Sequence, residues 1–136
     1  RTPRRGTAER GAGFTDGTPW IGINKNAVCV NAADEAKVPD SVLNDFKRLI
    51  ALRHANPALV YGEFTQLCPE DKNVVCYKRT LDGNTFFVEL NLTGERQNRP
   101  YDPVDFKRLY SNYHDHRDVL MPFEANVYLA EGEAKA

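Results

Sequence analysis

The chain has 136 residues, of which 41% are hydrophobic, enough for one ordinary domain with a packed core. Its 18 basic and 19 acidic residues leave a net charge of −1, so no overall field favours nucleic acid or an anionic membrane. No apolar run reaches the roughly 18 residues of a transmembrane helix, and the amino terminus lacks the apolar stretch of a signal peptide. We therefore predict a cytoplasmic protein without nucleic-acid or membrane partners.

The first 38 residues show no regular hydrophobic period. Residues 1–24 are rich in glycine, threonine, proline and arginine, a composition typical of an extended loop. Residues 25–38 are mixed, and we predict one turn of strand there, at Ala27–Val30. The chain does not begin with methionine, which is consistent with a fragment or a processed protein.

One amphipathic helix is predicted over residues 39–56, ended by Pro57. Asp40 or Ser41 can cap its first turn, because their side-chain oxygens accept the free amide hydrogens there. Apolar residues then recur with a helical period, at Val42, Leu43, Phe46, Leu49, Ile50 and Leu52. A stripe of this size needs a partner layer, and residues 1–38 do not offer one. We therefore expect the chain to start inside a truncated domain.

From Ala58 onwards the sequence favours β-structure. Asp82-Gly83-Asn84 predicts a hairpin turn, because short polar residues and glycine accept positive φ. Short connections imply an antiparallel sheet. The segment around Phe106–Tyr110 suits either a helix or a strand, and the polar tail from Glu131 is expected to fray. The predicted strands are Leu59–Tyr61, Phe64–Cys68, Asn73–Thr80, Thr85–Leu92, Arg108–Ser111 and Asn126–Leu129.

Several polar clusters each allow a functional and a structural interpretation. His114-Asp115-His116 suits a metal or acid–base site, but no third ligand is evident and a solvated turn explains it equally. Arg1, Arg4, Arg5 and Arg10 are basic without interleaved aromatic residues, so a solvated loop competes with phosphate binding. We predict no metal and no cofactor.

Two further features leave alternatives open. Cys68 and Cys76 could pair across a hairpin, although an odd count of three cysteines without metal-ligand spacing favours free thiols. Trp20 could line a sugar site by stacking, or could anchor its loop in a core. The acidic pair Glu70 and Asp71 sits beside a proline in an apparent turn, and no local spacing places two carboxylates around a cleft.

Taken in order, eight segments resemble the carboxy-terminal end of α-glucosidases of the α-amylase superfamily, in the oligo-1,6-glucosidase and dextran glucosidase branch. The resemblance covers nearly the whole chain, and the ordered set is more specific than any one motif. The segments are Arg1–Pro3, Ala12–Thr15, Thr18–Trp20, Asn24–Asn26, Asp40–Arg53, Asn56–Gly62, Ser111–Tyr113 and Leu120–Tyr128.

The resemblance implies a mainly β chain: a carboxy-terminal antiparallel β-sandwich, preceded by the last loop and helix of a truncated (β/α)₈ barrel. It places the barrel remnant at residues 1–56 and the β-domain at residues 57–136. The family's nucleophile, acid and third carboxylate lie upstream of the arginine-threonine-proline element, so it assigns no catalytic residue here. Its arginine approaches the substrate cleft, which makes Arg1 the predicted substrate-binding residue.

One segment departs from the family pattern. Arg4-Arg5-Gly6 stands where the family has methionine, glutamine and tryptophan, and Thr7 and Ala8 follow where acids are usual. Either the subsite is altered or this loop has lost its role.

The implied function is that of the carboxy-terminal part of a retaining α-glucosidase, which binds oligosaccharide through its parent barrel. We expect it to hydrolyse short α-linked gluco-oligosaccharides of the isomalto-oligosaccharide or maltose type. The chain alone is predicted to be inactive, with self-association through exposed apolar surface. The alternative is a non-catalytic β-sandwich module with a structural, docking or weak glycan-binding role.

Overall fold

The computed structural model describes residues 2–115 and 118–130. The chain divides into two compact units, Arg1–Arg48 and Leu49–Ala136, and the division falls within one helix. The domain boundary predicted between residues 56 and 57 lies a few residues further along and stays a prediction. No helix in the described part of the chain combines the length and apolarity needed to span a membrane.

The first unit contains short helical turns set by asparagine side chains. Lys25–Val28 is a 3₁₀ turn whose cap Asn24 accepts a hydrogen bond from the Asn26 amide at 3.1 Å. The strand predicted at Ala27–Val30 is therefore wrong, because this local cap favours a helical turn. A further 3₁₀ turn lies at Arg10–Gly13, and helix α1 spans Ala32–Glu35.

Helix α2 spans Val42–Ala55 and confirms the predicted amphipathic helix. Ser41, not Asp40, caps it: the Ser41 hydroxyl accepts a hydrogen bond from the Asn44 amide at 3.2 Å. Glu35 adds a second acceptor, since its carboxylate accepts a hydrogen bond from the Leu43 amide, with 3.2 Å between oxygen and nitrogen. Together they satisfy amide groups that the first turn of a helix leaves unpaired.

A one-turn helix, α3, spans Pro57–Tyr61, so the strand predicted at Leu59–Tyr61 is wrong. Proline at the first position of a helix presets its φ, so Pro57 starts a new turn after stopping the previous one. Gly62 ends the turn by donating its amide to the Ala58 carbonyl at 3.0 Å. A Cβ on Gly62 would lie 2.4 Å from that carbonyl oxygen, so this position requires glycine.

The second unit is built on an antiparallel sheet, which confirms the mainly β fold. Within the described residues the sheet has five strands in the order β1-β2-β3-β7-β5, and β4 pairs with β6 in a separate ribbon. The ambiguous segment around Phe106–Tyr110 is a strand from Lys107 onwards, and the two-residue strands β4 and β6 are not among the predicted ones. The strands are β1 Glu63–Leu67, β2 Val74–Leu81, β3 Asn84–Asn91, β4 Gln97–Asn98, β5 Lys107–Ser111, β6 Val119–Leu120 and β7 Ala125–Ala130.

The β2–β3 hairpin closes at Asp82 and Gly83, with φ of 50° and 81°. Positive φ at both central residues is the geometry that matches the twist of paired strands. The predicted turn is thus confirmed, although Asn84 already belongs to β3 and pairs with Leu81.

Apolar side chains cover both faces of the five-stranded sheet. On one face, Phe86, Val88 and Val127 pack against Ala58 and Leu59 of α3. The opposite face carries a second buried cluster, to which the β4–β6 ribbon contributes Leu120. Its other members are Val74, Cys76, Phe87 and Tyr128.

Candidate functional site

Arg1, the predicted substrate-binding residue, lies outside the described residues, and its role stays a prediction. Arg5, further along the same loop, is described, and its hydrogen bonds stabilise the fold of the loop. The Arg5 guanidinium donates to the Asn26 side-chain oxygen, and the Arg5 carbonyl accepts the Ala32 amide at 3.0 Å. At least one arginine of the basic run therefore stabilises the loop in which it lies.

Gly6 is closely packed against the turn that follows it. The Gly6 amide donates to the Ala12 carbonyl at 2.7 Å. A Cβ on Gly6 would lie 3.2 Å from the same oxygen, closer than most such contacts. A larger residue here would require the neighbouring turn to shift by a few tenths of an ångström, so the present turn suits the glycine that departs from the family pattern.

An apolar groove of about 280 Å³ opens beside this loop in the first unit. Trp20 is 90% exposed and Phe14 is 55% exposed, so neither ring is an anchor in a core. Of the two interpretations left open for Trp20, the described residues provide no core around it, and stacking remains open. Arg4 at the groove carries a guanidinium, which can donate hydrogen bonds beside the rings. The groove is also lined by Pro3, Pro19 and Ile21.

A buried ionic cluster lies in the second unit, and sequence reasoning missed it. Arg99 donates to the Glu89 carboxylate and lies 3.6 Å from a Glu124 oxygen. The Asn126 amide nitrogen donates to Glu89 and Glu124, at 2.8 Å each, so the two carboxylates are close neighbours. The Tyr128 hydroxyl donates to Glu89 at 2.9 Å. The signal in the sequence is Glu89 itself, a charged residue inside the otherwise apolar run Phe86–Leu90.

The electrostatics of the cluster favour the charged guanidinium and the neutral phenol. Burial opposes the charge on Arg99, but its hydrogen bond to Tyr128 and the nearby Glu89 and Glu124 carboxylates overcome this and raise its pKa. Burial raises the pKa of Tyr128 to about 12, partly offset by the hydrogen bond from Arg99. The cluster thus holds one positive charge between two carboxylates, away from water.

This carboxylate pair cannot act on a glycosidic bond. Retaining glycosidases need two carboxyl groups about 5 Å apart that flank an accessible substrate. Glu89 and Glu124 are 0% and 1% exposed, and each is engaged by hydrogen bonds. Their role is to join β3, β7 and the segment after β4 inside the β-domain.

The histidine motif and the cysteines offer no metal site in the part of the chain that is described, where no cluster of three metal-ligating residues occurs. The carbonyls of His114 and Asp115 accept hydrogen bonds from Arg108, while His116 lies outside the described residues. All three cysteines are free thiols. Burial and the Glu89 charge raise the pKa of the Cys76 thiol to about 12, so it is a core residue and not a nucleophile.

Comparison with known proteins relates the two units to one enzyme group. The family described as "Alpha amylase, catalytic domain" matches residues 1–62. The oligo-1,6-glucosidase of Halalkalibacterium halodurans is 34% identical over 98% of this chain. A probable oligo-1,6-glucosidase of Bacillus subtilis is 34% identical over 96% of it. The chain belongs to the α-amylase superfamily.

Solved structures of this superfamily share the fold of both units. An isomaltulose synthase from Erwinia rhapontici covers 95% of the chain with a TM-score of 0.82 and 34% identity. The trehalose-6-phosphate hydrolase of Bacillus licheniformis covers 96% with a TM-score of 0.84 and 30% identity. Glucoside hydrolases and a sucrose-binding synthase therefore share this architecture.

The chain spans about a quarter of the length of these relatives, 26% for the Halalkalibacterium enzyme and 25% for the Erwinia structure. The match to the catalytic-domain family covers the first unit, α2 and α3. Within this α-amylase superfamily chain, the loop and groove near Thr2–Arg4 are the surface nearest in sequence to Arg1, while the β-domain cluster is closed to substrate.

Proposed function

We propose that this chain is the carboxy-terminal part of a retaining α-glucosidase that hydrolyses short α-linked gluco-oligosaccharides, of the isomalto-oligosaccharide or maltose type. The observation that carries the proposal is the match to oligo-1,6-glucosidases along 98% of the chain. In this proposal, residues 1–56 complete the catalytic barrel and residues 57–136 form the terminal β-domain. The parent enzyme is cytoplasmic and binds oligosaccharide through the barrel.

An uncovered apolar line on α2 supports the placement beside a barrel. Val42, Phe46 and Ile50 follow one another at four-residue spacing and are 80%, 62% and 40% exposed. Leu49 and Leu52, on another side of the same helix, pack against the core of the β-domain. A helix with apolar residues on two sides is typical of one enclosed between two layers.

The chemistry is assigned to residues outside this chain. Double displacement needs a carboxylate nucleophile and a carboxylic acid in one open cleft. In the described residues, the close pair Glu89 and Glu124 is buried, and the family resemblance places the catalytic carboxylates upstream of Arg1. Arg1 is proposed to donate hydrogen bonds to substrate hydroxyls or to a neighbouring carboxylate at the cleft.

Hydrolysis of 4-nitrophenyl α-glucoside tests this proposal. We expect no turnover by the 136-residue chain, and turnover once the upstream part of the Halalkalibacterium oligo-1,6-glucosidase is fused before Arg1. A matched fusion with Phe46→Asp should lose activity, because a carboxylate on the uncovered line would oppose packing against the barrel. Turnover by the chain alone, or no turnover by a folded fusion, would overturn the proposal.

A second candidate function is that of a non-catalytic module that binds glycan, and the exposure of Trp20 favours it. Aromatic rings beside polar donors are suited to sugar stacking. Trp20 is the single tryptophan of the chain, so its fluorescence reports on the groove alone. A saturable change with isomaltose would support glycan binding. If the Trp20 fluorescence does not change up to a high concentration of isomaltose, the result would favour a structural role for the module.

The apolar line on α2 also supports self-association of the isolated chain. Sedimentation at rising concentration would detect it, and Phe46→Asp should return the chain to a monomer.

A further inference from the structure

A second groove, of about 300 Å³, lies entirely within the β-domain unit. Its aliphatic lining comes from the last turns of α2, from α3 and from the sheet face that the helices cover. These residues are Leu49, Leu52, Leu59, Val88 and Val127. Such a volume is at the lower end of the range of small-molecule sites, about 300–1,000 Å³.

Two guanidinium groups, those of Arg53 and Arg79, line the same groove. The Arg53 Nη1 atom donates to the Leu59 carbonyl, and the Arg79 Nη1 atom lies 3.4 Å from the Val60 carbonyl. The bond from Arg53 positions its guanidinium at the groove, the Arg79 contact is longer, and each group keeps further N–H donors. The ion pairs found among residues 2–115 and 118–130 involve other cations, not Arg53 or Arg79. Both charges therefore lie beside apolar surface, without a carboxylate partner among the described residues.

An aromatic pair completes the groove. The rings of Phe64 and Tyr77 lie 5.3 Å apart with a 37° tilt. Burial raises the pKa of the Tyr77 phenol, while the positive charges of Arg79 and Arg53 act in the opposite direction. The phenol therefore stays protonated at neutral pH and shares its surroundings with both guanidinium groups.

These features select a ligand with an apolar body and one anionic head. A sugar ring needs polar partners around its edge, and this lining is largely aliphatic. A neutral hydrocarbon would leave both guanidinium groups without a counter-charge. We propose that the groove binds a small amphipathic carboxylate, with the carboxylate accepting hydrogen bonds from Arg53 and Arg79 and the alkyl or aryl body lying on the aliphatic lining.

The test compares octanoate, 1-octanol and octylammonium on the full 136-residue chain, with amide chemical shifts as the readout. We expect octanoate to shift signals in Leu49–Arg53 and Tyr77–Arg79, and to bind at least about tenfold more tightly than either of the other compounds. Hexanoate should bind about tenfold more weakly than octanoate, because its shorter chain transfers two fewer methylene groups from water into the groove.

Variants then separate the two charges from general effects. The double variant Arg53→Gln with Arg79→Gln should lose about tenfold or more of the octanoate affinity and keep its affinity for 1-octanol. Arg96→Gln removes an exposed positive charge that does not line the groove, and should change neither.

Three results would overturn the proposal. One is equal affinity of the unaltered chain for octanoate and 1-octanol, which needs no variant and so does not depend on folding. Another is a loss of octanoate binding in Arg96→Gln that matches the double variant. The third is a set of shifts centred on Val42 and Phe46, which would assign binding to the uncovered line on α2.

Discussion

The β-domain and the first unit use their apolar residues in opposite ways. In the β-domain, each face of the sheet carries a buried apolar cluster, and Phe86, Phe87 and Tyr128 are almost fully buried, although Tyr61 and Phe64 are more than half exposed. In the first unit, Phe14, Trp20 and Phe46 are all more than half exposed. A region whose large apolar side chains stay uncovered is typical of an interaction surface. The difference teaches that the β-domain buries rings in a core of its own, while the first unit leaves its three large rings on a surface that suits a further layer.

The largest expected effect on this contrast comes from the buried ion cluster. Arg99→Met would leave Glu89 and Glu124 buried without their cation, which costs about 3–5 kcal/mol. We expect the free energy of unfolding in urea to fall by that amount. Arg96→Met, an exposed neighbour in the same segment, is the control and should change it by less than about 0.5 kcal/mol. Equal losses in the two variants would show that the β-domain does not depend on this cluster.

A smaller loss is expected from Gly62→Ala at the end of α3. The added Cβ would lie 2.4 Å from the Ala58 carbonyl oxygen, so the backbone has to move, at about 1–3 kcal/mol. Gly22→Ala is a matched control from the first unit, because a Cβ there meets nothing within 4 Å. Thermal unfolding of both variants measures the difference, and similar midpoints would contradict the close packing at Gly62.

Alkaline pH should weaken the β-domain further. The pKa values of Cys76 and Tyr128 are raised to about 12 in the folded chain, from 9.0 and 10.0. A raised folded pKa favours the protonated state, so this stability is complete below about pH 9 and is lost as the pH rises towards about 12. Urea unfolding at pH 8 and pH 10.5 would reveal the fall. Cys76→Ala should make the fall shallower, and an unchanged slope would count against the thiol's contribution.

The smallest effect is expected on the uncovered side of α2. Phe46→Ser should change the unfolding free energy of this chain by less than about 0.5 kcal/mol, since the ring is 62% exposed. Leu49→Ser, three residues along the same helix, should cost clearly more, because Leu49 packs against the β-domain core. If the two substitutions destabilise equally, the distinction between the packed and uncovered sides of α2 is wrong.

Local patterns were enough to predict the elements whose signals are strong and continuous. The helical period of α2, the Asp82-Gly83 turn, and the strands predicted at Asn73–Thr80 and Thr85–Leu92 each depend on neighbours in sequence, and all were confirmed. Short elements were predicted poorly. The strand expected at Leu59–Tyr61 is a helix, because Pro57 and Gly62 bound a single turn, and β4 and β6 are too short to leave a pattern.

The candidate sites divide in the same way. The ordered segments from Arg1–Pro3 to Leu120–Tyr128 were sufficient to indicate the α-amylase superfamily, which the comparisons confirmed. The cluster of Arg99, Glu89 and Glu124 could not be predicted, because its members are up to 35 positions apart and meet only through strand pairing.

By itself, the sequence determined the family, the antiparallel β-domain and the amphipathic helix, since these depend on composition, period and ordered motifs. Only the tertiary structure decided which apolar residues are covered. Trp20 and Phe46 look as fit for a core as Phe87 does, and burial depends on what packs against each ring. The same holds for Arg53 and Arg79, whose charges become a candidate site only because α2 and β2 bring them to one groove.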